Sequence, residues 1–416
     1  MTDVGGASAS IGPVARGSVA RVGTSTALTV ICSYAVYCLA ARDLSPERFA
    51  LFGVFWGALG LVTGVAYGVL PETTREVRGA RSVGLITGPR THPLRTAALI
   101  GVVAAAVIAG SSPLWGPHVF SEERWLSVGL VSVGIAGFCG QAALLGALAG
   151  FDRWSQYGAL MVADAVVRLS VAAAAVVMGW GLSGFLWAIT SGAATWLVFL
   201  IVSPSARAVA RQFTPGSVAT FVRGAAHSIT AAGASAMMLM GFPVLLKATS
   251  EELGAAGGVL ILAVTLTRAP LLLPLNAMQG NLIAHFVDQR SEGLRCLLPP
   301  ALVITGIGAV GIPMAGLAGP WLLRVGFGPD YYASGQLMAW LTAAAVVIAF
   351  LSLTGTAAIA ASLHRAYSMG WVGATVASTF LLLLPLALDT RTVIALMCGP
   401  LVGIAIHLGA LARALA

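Results

Sequence analysis

Arg268 is the residue whose surroundings in the sequence most demand an explanation. It lies within VLILAVTLTRAPLLLPLNAMQGNLIAHFVDQR, residues 259–290, an apolar run broken at mid-length by Arg268, Pro270 and Pro274. At 1.5 Å per helical residue the guanidinium falls roughly 20 Å from the outer end of its span, near the midplane of an apolar layer about 30 Å thick. A cation at that depth faces a wet cavity or a partner, and an ion or substrate pathway is the default reading. The prolines remove backbone hydrogen bonds beside the charge and predict a kink. If the helix is continuous, Gln279 falls about 20° from Arg268 around the axis and Asn276 about 80° away, so the three form one polar stripe leading to a surface. A hydrogen-bonded plug that holds helices together is the structural alternative. Asp164 and Arg168 form a second constellation at i, i+4, acid before base. They can pair with each other. Alternatively Asp164 takes up a proton or sodium ion while Arg168 and Arg268 present positive potential to an anion, the two events competing electrostatically.

Other candidates are weaker. Arg75, Arg78 and Arg290 would gather an anionic headgroup at a cytoplasmic mouth, or serve topology alone. His227, His285 and His407 have no second ligand at metal spacing, so neither a metal site nor a cofactor is expected. The five cysteines lie in or beside apolar runs and read as reduced structural side chains. Trp56, Trp115, Trp125, Trp321, Tyr331, Tyr332 and Trp340 mostly fall at span ends and read as an interfacial belt. The glycine-rich strings have no strand-turn-helix context and no Lys-Ser/Thr, which excludes a nucleotide loop.

The elements that position these residues are set by composition. Of 416 residues, 58% are hydrophobic and 9% charged, with a mean hydropathy of +0.91. Soluble domains carry about a quarter charged residues, so this is an all-α integral membrane protein with no room for a soluble catalytic domain. Apolar stretches recur twelve times, at 22–40, 49–70, 96–115, 126–149, 157–178, 182–202, 224–246, 255–284, 298–318, 334–361, 367–388 and 391–412. We number them spans 1 to 12; the short connections at Gly179 and Asp389 make spans 5 to 6 and 11 to 12 the least separable. Residues 1–21 read as a mobile cytoplasmic leader without a signal peptide's apolar region. Most of the 23 Lys and Arg residues gather on the side of the termini, against Arg42, Arg48, Arg124, Lys247, Arg324 and Arg391 on the other. The positive-inside rule therefore puts both termini in the cytoplasm. The net charge of +8 is thus mostly topology, helped by membrane lipids, and implies no nucleic acid.

A weak repeat aligns Gly150-Phe151-Asp152-Arg153 with Ser362-Leu363-His364-Arg365. It predicts two pseudo-symmetric six-helix bundles, 22–202 and 224–416, joined by a cytoplasmic linker at 203–223. Repeats of like orientation belong to alternating-access carriers.

Two stretches resemble a known family. Ala41-Arg42-Asp43-Leu44-Ser45-Pro46-Glu47-Arg48-Phe49, with the helix ending Gly68-Val69-Leu70-Pro71-Glu72-Thr73-Thr74-Arg75, resembles the first hairpin of polysaccharide flippases of the multidrug/oligosaccharidyl-lipid/polysaccharide exporter superfamily. Ala50 stands where that family's string commonly has glycine. Phe327-Gly328-Pro329-Asp330-Tyr331-Tyr332 is similar to the string before the family's tenth helix. The resemblance implies a plasma-membrane transporter, not an enzyme. It would carry an anionic, undecaprenyl-pyrophosphate-linked oligosaccharide outward on an ion gradient, alongside glycan-synthesis enzymes. The family has no universal motif to transfer, so Arg268, Arg168, Asn276, Gln279 and Asp164 remain readings from depth and charge. A multidrug exporter of the same fold and a non-transporting scaffold for wall synthesis are the alternatives. A membrane glycosyltransferase is disfavoured, because the outer acids lie on connections too short to form a domain.

Overall fold

The computed structural model describes residues 16–82 and 88–415, and its spans form a multi-pass, almost entirely helical membrane protein. Among the described residues ten helices are long and apolar enough to cross a bilayer, and the bent pair Val218–Leu239 and Phe242–Ala248 makes an eleventh. His364–Leu382 completes the twelve; it is only 19 residues long and begins with His364 and Arg365, yet it packs along Leu388–Leu415. The first half comprises Arg16–Asp43, Pro46–Tyr67 continued by Val69–Ser82, Pro93–Val119, Arg124–Gly150, Trp154–Met178, and Gly181–Ser191 continued to Val202. The second comprises the bent pair, Gly254–Ala277 with Gln279–Asp288, Leu298–Phe327, Gly335–Ala360, His364–Leu382 and Leu388–Leu415. A short antiparallel pairing of Arg90–Thr91 with Thr214–Pro215 ties the linker to the loop after span 2.

Local chemistry explains most boundaries. Ser45 caps span 2 by accepting from the Arg48 amide, Pro46 takes the first helical turn, and Glu47 faces the positive helix end. Gly179 and Gly181 adopt left-handed backbone (φ 65° and 55°), which lets the chain reverse between spans 5 and 6 within three residues.

Several boundaries differ from the sequence expectation. The first helix starts at Arg16, since adding turns to an existing helix costs little compared with nucleating one. Span 7 is not continuous but bends by 66° around Gly241, and span 8 is interrupted at Met278, four residues after Pro274. Span 2 runs on to Ser82, so Arg75 and Arg78 are helical rather than loop residues. The repeat also slips by two positions: the left-handed turn residues that end spans 4 and 10 are Asp152 and Ser362, so Asp152 matches Ser362 rather than His364. Short strings in apolar sequence do not fix register; turn geometry does.

The halves meet along span 2. Gly53, Gly57, Gly60, Gly64 and Gly68 form a stripe that lies against Ile261, Pro243, Met240, Ala236 and Ile229 of spans 7 and 8. A Cβ at Gly64 would sit 2.5 Å from the Ala236 Cβ, and one at Gly68 2.5 Å from the Ile229 Cα. Lipid gives helices no hydrophobic drive to associate, so this close approach supplies the contact energy. At the outer ends Arg42 donates to the carbonyls of Gly326 (2.9 Å) and Val325 (2.8 Å), the negative end of span 9. The Tyr331 hydroxyl donates to the Leu44 carbonyl, and its ring stands edge-on to Phe49 at 5.5 Å. Towards the cytoplasm the halves also meet: Phe221 and Ala225 of span 7 pack with Val69, Ala97 and Ala142, and Glu72 lies against Gly224. The halves are therefore bridged at both ends.

Two outcomes test this seam. Gly64→Leu should lower the midpoint of thermal unfolding in detergent by an amount equivalent to about 1–3 kcal/mol of overpacking, whereas Gly110→Leu, where an added Cβ meets no described atom within 4 Å, should not. Arg42→Ala should raise the labelling rate of cysteines engineered at the outer ends of spans 1 and 9 without loss of protein.

Candidate functional site

Arg268 projects from Gly254–Ala277 into the junction of the halves and is 7% exposed. One terminal nitrogen donates to the carbonyls of Met238 (3.4 Å) and Leu239 (3.3 Å). Those carbonyls are free because span 7 bends there, leaving the last groups of Val218–Leu239 without helical donors. The guanidinium carbon also lies 5.1 Å from the Phe242 ring centroid, just past the bend. Its Nε and second terminal nitrogen are buried with no partner among the described residues. No carboxylate pairs with it among those residues either. Dipoles and a ring face lower the cost of the charge, but they do not cancel it.

Arg268 lines a cavity of about 130 Å³ between the halves, closed on the first half by Tyr34, Tyr37 and Trp56 and on the second by Thr265 and Asn276. The Tyr37 hydroxyl and Thr265 Oγ1 are 3.4 Å apart across it, and Tyr37 stands edge-on to Trp56 at 5.0 Å. The opposite face of span 8, through Leu266, Thr267, Pro270 and Leu271, borders a larger hollow of about 840 Å³ shared with spans 9 and 10. Its lining carries no charge, and its threonines bond their own helices.

The structure brings Arg268 and Asn276 to one cavity and leaves Gln279 out of it, because the break at Met278 ends the helical register that would have aligned them. Arg168 is not brought to it. Instead Arg168 Nε and its terminal nitrogen clasp both oxygens of Asp164 at 2.9 and 2.8 Å, within the first half. The Gly192–Ala194 turn of span 6 makes room for the pair: a Cβ at Gly192 would lie 1.8 Å from Asp164 Oδ1. Phe138 covers the Arg168 guanidinium at 5.2 Å. The pair is neutral, with both carboxylate oxygens occupied.

At the cytoplasmic end Arg75 holds Glu72 in two hydrogen bonds (3.1 and 2.6 Å) and reaches Glu76 at 2.9 Å. Arg78 and Arg81 grip Asp152 from the extended span 2, and the Arg81 hydrogen bond, aided by both positive charges against some burial, holds the Asp152 carboxyl below the usual carboxylate range. The mouth arginines are thus neutralised by carboxylates; the side chain of Arg290 lies outside the described residues.

Two belt assignments are corrected. Trp56 lines the cavity, and Tyr331 is 2% exposed under Phe49, whereas Trp125, Trp321, Tyr332 and Trp340 are exposed as expected. The signal for Trp56 was its place three residues after Gly53, on the edge of the glycine stripe. Tyr37 and Thr265 were missed, each in an apolar string without a charged pattern, and Arg42 was read as an outer basic residue and not as a bridge between the halves.

No protein-family model matches the chain. It is 70% identical over 413 residues to the uncharacterized protein Rv1510 of Mycobacterium tuberculosis, covering 99% of this chain and 96% of that one. It is 66% identical over 411 residues to the uncharacterized protein Mb3654 of Mycobacterium bovis and 65% identical over 411 residues to Rv3630 of Mycobacterium tuberculosis, each match covering 99% of this chain and 95% of the relative. Among solved structures it superposes on the inward-facing conformation of a multidrug resistance MATE family transporter of the MOP superfamily, with a TM-score of 0.69 at 15% identity, covering 95% of this chain and 99% of that one. A MOP superfamily transporter from Pyrococcus furiosus, described as having a binding pocket of reversed polarity, gives 0.63 at 13% identity, covering 95% and 96%. These likenesses establish the fold: the two-bundle MATE architecture.

The neutral pair predicts a sharp asymmetry. Asp164→Asn should destabilise the protein in detergent by about 3 kcal/mol, because it strands a largely buried guanidinium. Replacing both Asp164 and Arg168 by apolar residues of similar size should recover most of that loss. Thermal unfolding midpoints of the three proteins check it.

Proposed function

The chain belongs to the family of mycobacterial proteins that includes Rv1510 and Rv3630, and we propose that its members are alternating-access transporters that move an anionic, lipid-linked glycan precursor to the outer leaflet of the plasma membrane. The observation that carries this reading is Arg268: a guanidinium between the halves, two of whose donor nitrogens are buried and unpartnered among the described residues, on a residue that lines a cavity. Coulomb attraction is far stronger in that low-dielectric layer than in water, and the planar fork suits phosphate oxygens. A substrate phosphate supplies the acceptors and the countercharge that the protein withholds.

The surroundings favour an anion over a cationic drug. Asp164 lies away from the cavity and is spent on Arg168, so a cation entering the cavity meets an uncancelled positive charge. A pocket of reversed polarity is attributed to the Pyrococcus furiosus transporter of this fold, and the same inversion suits this chain. The uncharged hollow beside spans 8, 9 and 10 offers space for a hydrocarbon chain at the depth of the charge. The seam along span 2 gives the halves a surface to move on, and Arg42 bridges them at the outer end. The Glu72–Arg75 pair and the Asp152 clasp at the mouth can open to pass a headgroup.

Purified protein in lipid nanodiscs, exposed to polyprenyl pyrophosphate and read by native mass spectrometry, tests the reading. Losing a charge-assisted hydrogen-bonding partner is worth about 1.5–3 kcal/mol, so Arg268→Gln should weaken binding roughly 10- to 150-fold. A deletion strain should accumulate lipid-linked glycan in the inner leaflet, restored by wild type and not by the variant. Equal retention of the pyrophosphate lipid by both proteins, or tighter binding of a lipophilic cation, would reject this substrate class. Full restoration by Arg268→Gln would point to a scaffold instead.

A further inference from the structure

His407 lies in the last span with no exposed surface, away from the Arg268 cavity. Its ring is held from two neighbouring spans. Nε2 faces the Tyr367 carbonyl at 3.2 Å, and Nδ1 faces Thr354 Oγ1 at 3.1 Å. A carbonyl only accepts, so Nε2 carries the proton and Nδ1 of the neutral ring is an acceptor. The single Thr354 hydroxyl proton has three places to go: Nδ1, or the carbonyls of Phe350 (3.0 Å) and Leu351 (3.1 Å) in its own helix. Directed at Nδ1, it leaves the imidazole neutral and satisfied. Rotated to a helix carbonyl, it turns an oxygen lone pair towards Nδ1, which can then hold a proton of its own. Both protonation states are fully bonded with no heavy atom displaced.

A histidine that merely fills a core needs only one of these states. The ring also lies parallel to that of Tyr367 to within 6°, at 6.2 Å between centroids. Glycines build the seat: a Cβ at Gly370 would lie 2.1 Å from Nε2, and one at Gly355 3.2 Å from Cε1. Span 10 contributes Thr354 and has no ionisable side chain. Span 11 contributes Tyr367, with His364 and Arg365 exposed at its start. Arg413 on the same helix and Arg295 on the Arg290–Leu297 segment packed against it are exposed. Among the described residues no carboxylate bonds to the ring. Beyond it, the Tyr367 phenol faces Ser235 of span 7, the helix against which the glycine stripe of span 2 is seated.

We propose that His407 is a proton-binding site in the second half, and that its protonation alters the contact between spans 11 and 7 and so the seam on which the halves move. The coupling part rests on the transporter reading; the proton site does not. The test uses the full chain in lipid nanodiscs with nitrogen-15-labelled histidine. The His407 ring signals, assigned by their loss in His407→Gln, should report protonation of Nδ1 within the pH window over which the protein stays folded. Hydrogen exchange of Val218–Leu239, corrected for intrinsic rate, should change roughly tenfold across that window, the equivalent of one unit of pKa between two conformations. The exchange response should vanish in His407→Gln and in Thr354→Val, which keeps the ring but removes the rotating hydroxyl, and persist in His364→Gln. If His407→Gln fails to fold, Thr354→Val carries the test. A ring that stays neutral throughout, or a response intact in Thr354→Val, overturns the proposal. These readouts need no substrate, so a loss of pyrophosphate-lipid binding as the favoured reading leaves them standing.

Discussion

An arginine cannot shed its proton to escape the apolar layer, and the architecture around Arg268 is organised by that constraint. The charge needs negative ends of dipoles, and span 7 supplies them by breaking at Gly241 so that Met238 and Leu239 turn their carbonyls inward. It needs a polarisable face, and Phe242, the first residue of the next helical segment, provides one. Neither supply includes a carboxylate, so the positive potential persists at the junction of the halves. A transporter for anions requires that incompleteness: a site already neutralised would have little left to offer a phosphate.

The contrast with the other membrane and mouth charges sharpens this. Arg168 lies in the first half with both oxygens of Asp164 in its fork, and Arg75, Arg78 and Arg81 at the cytoplasmic end each grip a carboxylate. Arg42 bonds carbonyls at the exposed end of span 9, and Arg391, half-buried near the outer surface, bonds the carbonyls of Thr249 and Leu382 while its Nε is without a partner among the described residues. Arg268 combines full depth with unfilled donors. The same economy appears in the packing, since span 2 meets spans 7 and 8 through glycines that let Ile261, Met240 and Pro243 seat closely against its backbone. Contacts of that kind bring the two halves together, and Arg42 bridges them at the outer end.

Much of this was legible in the chain before any coordinates. The spans announced themselves because the bilayer sets a length and a polarity that any crossing helix must meet, and the basic loop residues fixed their direction. Arg268 stood out for the same reason, as did the i, i+4 relation of Asp164 and Arg168, which a helix converts directly into contact. The interruptions were less legible. Pro270 and Pro274 suggested a kink, yet the helix continues through both and stops at Met278, while the sharper bend occurs at Gly241. A proline removes a hydrogen bond; whether the helix breaks there depends on what neighbouring helices can restore.

What the sequence determined by itself was therefore the solvent, the number and direction of the spans, and the depth of each charge, because these follow from one-dimensional length and polarity. Only the tertiary structure decided what surrounds Arg268. Arg168 has a carboxylate one turn earlier on its own helix, whereas Arg268 faces carbonyls and a ring from a different span. It also decided that Trp56 belongs to the cavity and Tyr331 to the core, that Gln279 leaves the polar stripe, and that His407 is sealed between Thr354 and Tyr367. Each of these depends on distances between residues far apart in the chain, and such distances are fixed by how the two halves pack against each other, which no local pattern encodes.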